Sequence, residues 1–118
     1  MDQTNLSIYQ GDDFAADVEV FNADGSAADL TGYTAQSQIR YSLTDAAPNP
    51  AAQFSTSIQD NIIAIVLTHD VTQDLGKQTY VWDLQVIDGN GWITTLLYGQ
   101  VNMIRDVTRI YTPSMALG

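Results

Sequence analysis

Apolar and polar residues alternate along most of this chain. Phe14, Ala16, Val18 and Val20 are separated by Ala15, Asp17 and Glu19. A period of two is the signature of a half-buried β-strand, because successive side chains leave opposite faces. Leu6 to Tyr9 reads as a short first strand and Phe14 to Val20 as the second. Tyr33 to Tyr41 is the third, with Tyr33, Ala35, Ser37, Ile39 and Tyr41 on one face and Thr34, Gln36, Gln38 and Arg40 on the other. Phe54, Thr56 and Ile58 mark a fourth strand and Ile62 to Thr68 a fifth. Lys77 to Asp88 is the sixth, carrying Tyr80, Trp82, Leu84 and Val86 on one side. The seventh runs from Trp92 to about Ile104, with Ile93, Leu97, Val101 and Met103 on a shared face. Gly99 in its middle predicts a bulge or a close backbone approach.

Turn residues separate these runs. Asn22 to Ser26 contains an Asp-Gly pair, Thr44 to Pro50 carries two prolines, and Gln59-Asp60-Asn61 is polar. Asp88-Gly89-Asn90-Gly91 is a strong hairpin signal. Only His69 to Gly76 has a helical flavour, with Asp70 as its expected cap, Leu75 pointing inward and Gly76 ending it. About seven short strands predict an all-β, antiparallel two-sheet sandwich over residues 1–110, followed by an extended tail at 111–118. A small barrel is the main rival. Tyr80, just after Leu75-Gly76 and two residues before Trp82, echoes the corner tyrosine of immunoglobulin-like sandwiches, whose hydroxyl bonds back to the preceding loop.

Composition narrows the function classes. The 118 residues include 14 acidic and 4 basic side chains, a net charge of −10. Such a field repels phosphate backbones and argues against a nucleic-acid partner. The absence of cysteine removes disulfides, thiolate metal sites and a cysteine nucleophile. The N-terminus has no basic and apolar signal pattern, and the longest dense apolar run, Ile62 to Leu67, is far below the roughly 20 residues of a membrane span. The expectation is a soluble chain made in the cytosol of its producer, with no membrane partner.

Candidate chemistry is sparse. His69 is the only histidine and stands next to Asp70, without a nucleophile elbow; an exposed loop histidine is the simpler reading. Asp12-Asp13 and Asp88 to Gly91 offer oxygens of the kind calcium takes, but turn chemistry explains them without a metal. Paired carboxylates for glycoside hydrolysis are expected by chance among thirteen aspartates. Neither a cofactor nor a catalytic residue is predicted. Tyr33, Tyr41, Tyr80, Trp82, Trp92 and Tyr98 suit a sandwich core better than a sugar-stacking platform, with Trp92 the best candidate for exposure. Tyr111, Pro113, Met115 and Leu117 lie in the tail and, with Trp92, are the candidate partner-binding residues; a tail of this kind suits an arm that docks on a neighbouring subunit.

Two segments carry a family resemblance. Ile8-Tyr9-Gln10-Gly11-Asp12-Asp13-Phe14 is similar to an I-x-Q-G-D-x-F opening, and Asp24-Gly25 through Asp29-Leu30-Thr31-Gly32-Tyr33-Thr34 resembles a D-G-x-x-x-D-L-T-G-Y-T segment. With Gln38-Ile39-Arg40, Thr72, Leu75-Gly76, Tyr80-x-Trp82-Asp83-Leu84 and Gly99-x-Val101, the series resembles small β-sandwich structural proteins of tailed bacteriophages, in particular the N-terminal domain of baseplate upper proteins. That resemblance implies a non-enzymatic virion subunit of the tail, baseplate or neck. Its partners would be other virion proteins and copies of itself. Baseplate upper proteins continue into further domains, whereas this sequence ends at Gly118, so a one-domain adaptor is expected. A capsid cement protein and a carbohydrate-binding module are the alternative expectations.

Overall fold

A computed structural model describes residues 2–45 and 47–105. The sequence segments Tyr111, Pro113, Met115 and Leu117 lie outside the described residues. The chain forms a two-sheet, immunoglobulin-like β-sandwich with one short helix. Its elements are β1 (Asp2–Gln3), β2 (Leu6–Tyr9), β3 (Phe14–Glu19), β4 (Thr34–Arg40), β5 (Ala52–Gln53), β6 (Ser55–Gln59), β7 (Ile62–Leu67), α1 (His69–Thr72), β8 (Thr79–Ile87) and β9 (Ile93–Ile104). One sheet runs β1-β9-β8-β4-β5, with β2 also on β9; the other runs β3-β7-β6.

The first strands join the sheet in parallel. Asp2 and Gln3 pair with Leu97 and Tyr98, and Leu6 to Tyr9 pair with Val101 to Ile104. The remaining pairings are antiparallel. On the opposite margin the chain changes sheets. Ala52 and Gln53 pair with β4, the Phe54 N–H donates to the Ser37 carbonyl at 2.9 Å, and β6 then pairs with β7.

The inward positions of the alternation meet between the sheets. Ile8, Ile39, Ile63, Ile65, Leu84 and Val101 are almost fully buried. Phe54 sits between Phe14 and Trp82, with ring centroids 6.0 Å from each. Ser37 is also buried, and its hydroxyl donates to the Asp83 carbonyl at 2.6 Å, so the strand face tolerates one polar group. The expected corner is present: the Lys77 N–H donates to the Tyr80 hydroxyl oxygen at 2.9 Å, and the Tyr80 ring is buried.

Several expectations need correction. The β-bulge lies opposite Leu84/Gln85, at Leu96, and not at Gly99. The extra residue reverses the parity of the strand, so Ile93 leaves the face of Leu97, Val101 and Met103 and turns outward beside Ile87. Gly99 is the close backbone approach, the second of the two roles expected for it. A Cβ there would collide with the Thr4 carbonyl group. The helix ends at Thr72, before Gly76, whose φ is not positive. Its N-cap is Thr68, and Asp13 rather than Asp70 supplies the carboxylate for the first backbone N–H: the His69 N–H donates to Asp13 Oδ1 at 2.6 Å.

Candidate functional site

The strands of the larger sheet turn a mixed face to solvent. Cross-strand register sets Gln38 beside Asp83 and Asp83 beside Tyr98, and sets Arg40 beside Val81. With Leu43 from the following loop, these six residues line a groove of about 340 Å³. Leu43 is 88% exposed and Tyr98 37%. Arg40 is held in place by its own donors, Nη1 to the Ala47 carbonyl at 2.8 Å and Nη2 to Gln38 Oε1 at 3.2 Å. Higher on the same face, Ile87 and Ile93 pair, and Trp92 stands at the hairpin tip, 74% exposed. At the other end, Tyr9 and Ile104 form an exposed parallel pair.

Asp83 is the unusual member. Partial burial on this face pushes its carboxyl above the ordinary carboxylate range, against the pull of the Arg40 charge. No described side chain forms an ion pair with it within 4.0 Å. A half-desolvated carboxylate beside apolar surface favours a partner that brings a donor or a cation. The groove therefore offers apolar contact, one guanidinium, one amide and one carboxylate on rigid strands, a set suited to binding.

The sequence candidates fall apart in space. His69 is exposed, and its Nδ1 lies 3.0 Å from Asp13 Oδ1, so the ring is oriented by a residue 56 positions away and not by Asp70. Asp13 is held below the usual carboxylate range first by the His69 backbone N–H and then by the ring. Asp12 contributes a carbonyl to the Thr72 hydroxyl at 2.8 Å. Asp88 Oδ1 accepts from the Asn90 and Trp92 N–H groups at 2.8 and 2.9 Å, an Asx-type turn closed by Gly91 at φ +83°. Among the described residues, no three acidic or histidine side chains converge. Of the six aromatics, Tyr80 and Trp82 are core and Tyr33 packs against it, while Tyr41, Trp92 and Tyr98 reach solvent at separate places. Arg40, Leu43, Val81 and Asp83 were not among the sequence candidates. The available signal was Asp83, the one charge inside the otherwise neutral β8 run.

The two resemblance segments build the fold. Gly11, at φ +90°, donates its N–H to the Thr72 hydroxyl at 3.1 Å, and Gln10 Nε2 reaches the Gln73 carbonyl. In the second segment the Thr31 N–H bonds Asp29 Oδ1 at 3.0 Å and the Tyr33 N–H bonds the Leu30 carbonyl at 3.0 Å, with Gly32 at φ +81° and Leu30 buried. These residues are anchors that fix how β2 enters β3 and how the chain enters β4.

No family model matches the chain. No curated protein matches it. Among solved structures, the chain is similar to a GspB Siglec domain, at 10% sequence identity and a TM-score of 0.49, over 86% of this chain and 54% of that one. The chain thus spans about half the length of that solved chain. A likeness at that level carries no statement about function.

Proposed function

We propose that this protein is a non-enzymatic structural subunit of a bacteriophage virion, an adaptor of the tail, baseplate or neck that acts by protein–protein contact. Its partners are other virion proteins and copies of itself. The observation that carries the binding part of this reading is the outer face of the larger sheet. It presents apolar surface in two groups, Leu43, Val81 and Tyr98 at the groove and Ile87, Ile93 and Trp92 toward the hairpin, with Asp83, Gln85 and Thr95 between them. Aromatic residues and arginine are enriched at protein contact centres, and this face carries both. The virion part rests on the sequence resemblance. A net charge of −10 suits a particle component that must avoid packaged or free DNA.

Purified particles test the reading directly. Quantitative mass spectrometry should find the chain in tens of copies per particle for a tail part and in hundreds for a capsid cement protein. Absence from particles removes the virion reading. Deleting Pro113 to Gly118 tests the terminal arm: incorporation should fall while the melting temperature holds. A carbohydrate-binding role is favoured only by the exposure of Trp92. A glycan array probed with the intact protein decides it.

A further inference from the structure

We propose that the outer edge of β3 is an acceptor for an extended segment of another protein in which apolar side chains alternate with lysine or arginine. This inference stands apart from the virion reading, because it concerns a different surface.

Among the described residues the edge is open along its length. The Val20 N–H points to the β7 side, donating to the Asn61 carbonyl at 2.8 Å. Strand periodicity then aims the backbone groups of Phe14, Ala16 and Val18 at β7, and those of Ala15, Asp17 and Glu19 away from it. No described residue hydrogen-bonds to those outward groups. On the opposite margin the sheet change at Phe54 and the Thr56 hydroxyl, which donates to the Ala35 carbonyl at 2.9 Å, tie the start of β6 to β4. On the β3 margin both early strands pair with β9, so the position beside β3 holds no described strand.

The core records the same gap. Leu67, Ile65 and Ile63 on β7 are 2%, 1% and 0% exposed, whereas their direct partners Phe14, Ala16 and Val18 are only half-buried. An added strand would cover those three with its own inward side chains. Its outward side chains would stand beside Ala15, Asp17 and Glu19, which favours cations at alternate positions.

Charge also selects the occupant. A second copy of β3, paired antiparallel about its middle, would set Asp17 against Asp17 on an already acidic protein, a destabilising arrangement. A second copy of β3 therefore does not match the edge. A separate basic-apolar segment does.

The test uses the intact protein and a synthetic Val-Lys-Val-Lys-Val-Lys-Val peptide, with the Glu-for-Lys peptide as control. Amide hydrogen exchange is read by NMR. With the lysine peptide, exchange at Ala15, Asp17 and Glu19 should slow by about tenfold or more, with Ile63 and Ile65 unchanged. The glutamate peptide should have no effect. The Asp17→Lys, Glu19→Lys double variant should reverse that preference. Ala15→Pro, which removes an outward donor without breaking the β7 ladder, should abolish protection. Protection that is absent, equal for both peptides, or located at Ser55–Gln59 overturns the proposal.

Discussion

The indole N–H of Trp82 donates to the carbonyl oxygen of Thr4 across 2.8 Å, tying the middle of β8 to the link between β1 and β2. The Thr4 N–H in turn donates to the Tyr98 carbonyl, and Asn5 Oδ1 accepts from the Gln100 N–H at 3.0 Å. Gly99 lies between these two contacts. Its missing side chain is what lets the N-terminal segment cross β9 so closely.

Gly99→Ala should therefore displace Thr4, lose the Trp82 hydrogen bond and destabilise the fold by about 3 kcal/mol, the sum of an overpacking and a hydrogen-bond effect. Urea unfolding measures this. A change below about 0.5 kcal/mol, the range of an ordinary surface substitution, would show that the crossing is not constrained.

Tyr80→Phe removes the hydroxyl oxygen that accepts from the Lys77 N–H and leaves the ring in place. The expected loss is about 1 kcal/mol, read from thermal or chemical unfolding. An unchanged protein would mean that water replaces the hydroxyl without penalty.

Asp13 and Asp83 should respond to pH in opposite senses. Hydrogen bonds from His69 lower the folded pKa of Asp13, so its contribution is present above the ordinary carboxylate value of about 4 and is lost as pH falls through the folded value. Asp13→Asn should destabilise at pH 7 and cease to matter in acid. Burial raises the folded pKa of Asp83, so its relative stability is full below about 4 and is lost as pH rises through the folded value. Asp83→Asn should stabilise at pH 7, with the difference vanishing in acid. Unfolding curves across pH 3 to 7 check both signs.

Trp92→Ala should leave unfolding within about 0.5 kcal/mol of the parent, because the side chain is 74% exposed. On the proposed virion reading, the variant's incorporation into particles should fall. Equal copy number in variant and parent particles would take Trp92 out of the contact.

Much of the sandwich was legible because it rests on local signals. Period-two alternation located β3, β4, β7 and β8, and the spacing of Tyr80 from Leu75-Gly76 located the corner. The parallel seating of β1 and β2 was not legible, since it depends on which distant strand offers the better edge. The bulge at Leu96 carries no glycine or proline to announce it, and it alone turned Ile93 to solvent. The Asp13–His69 contact spans 56 residues. The groove is assembled from β4, β8, β9 and one loop, so no single segment contains its pattern; Trp92, at a hairpin tip, could be read from its local setting.

The parallel pairing of β2 with β9 also decides how the molecule bears tension. Force that draws Asp2 and Arg105 apart slides these two strands lengthwise past each other. The hydrogen bonds between Leu6–Tyr9 and Val101–Ile104 are then loaded together in shear, not opened one after another. A short strand in this geometry works as a mechanical clamp between Asp2 and Arg105 against a pull along the sheet.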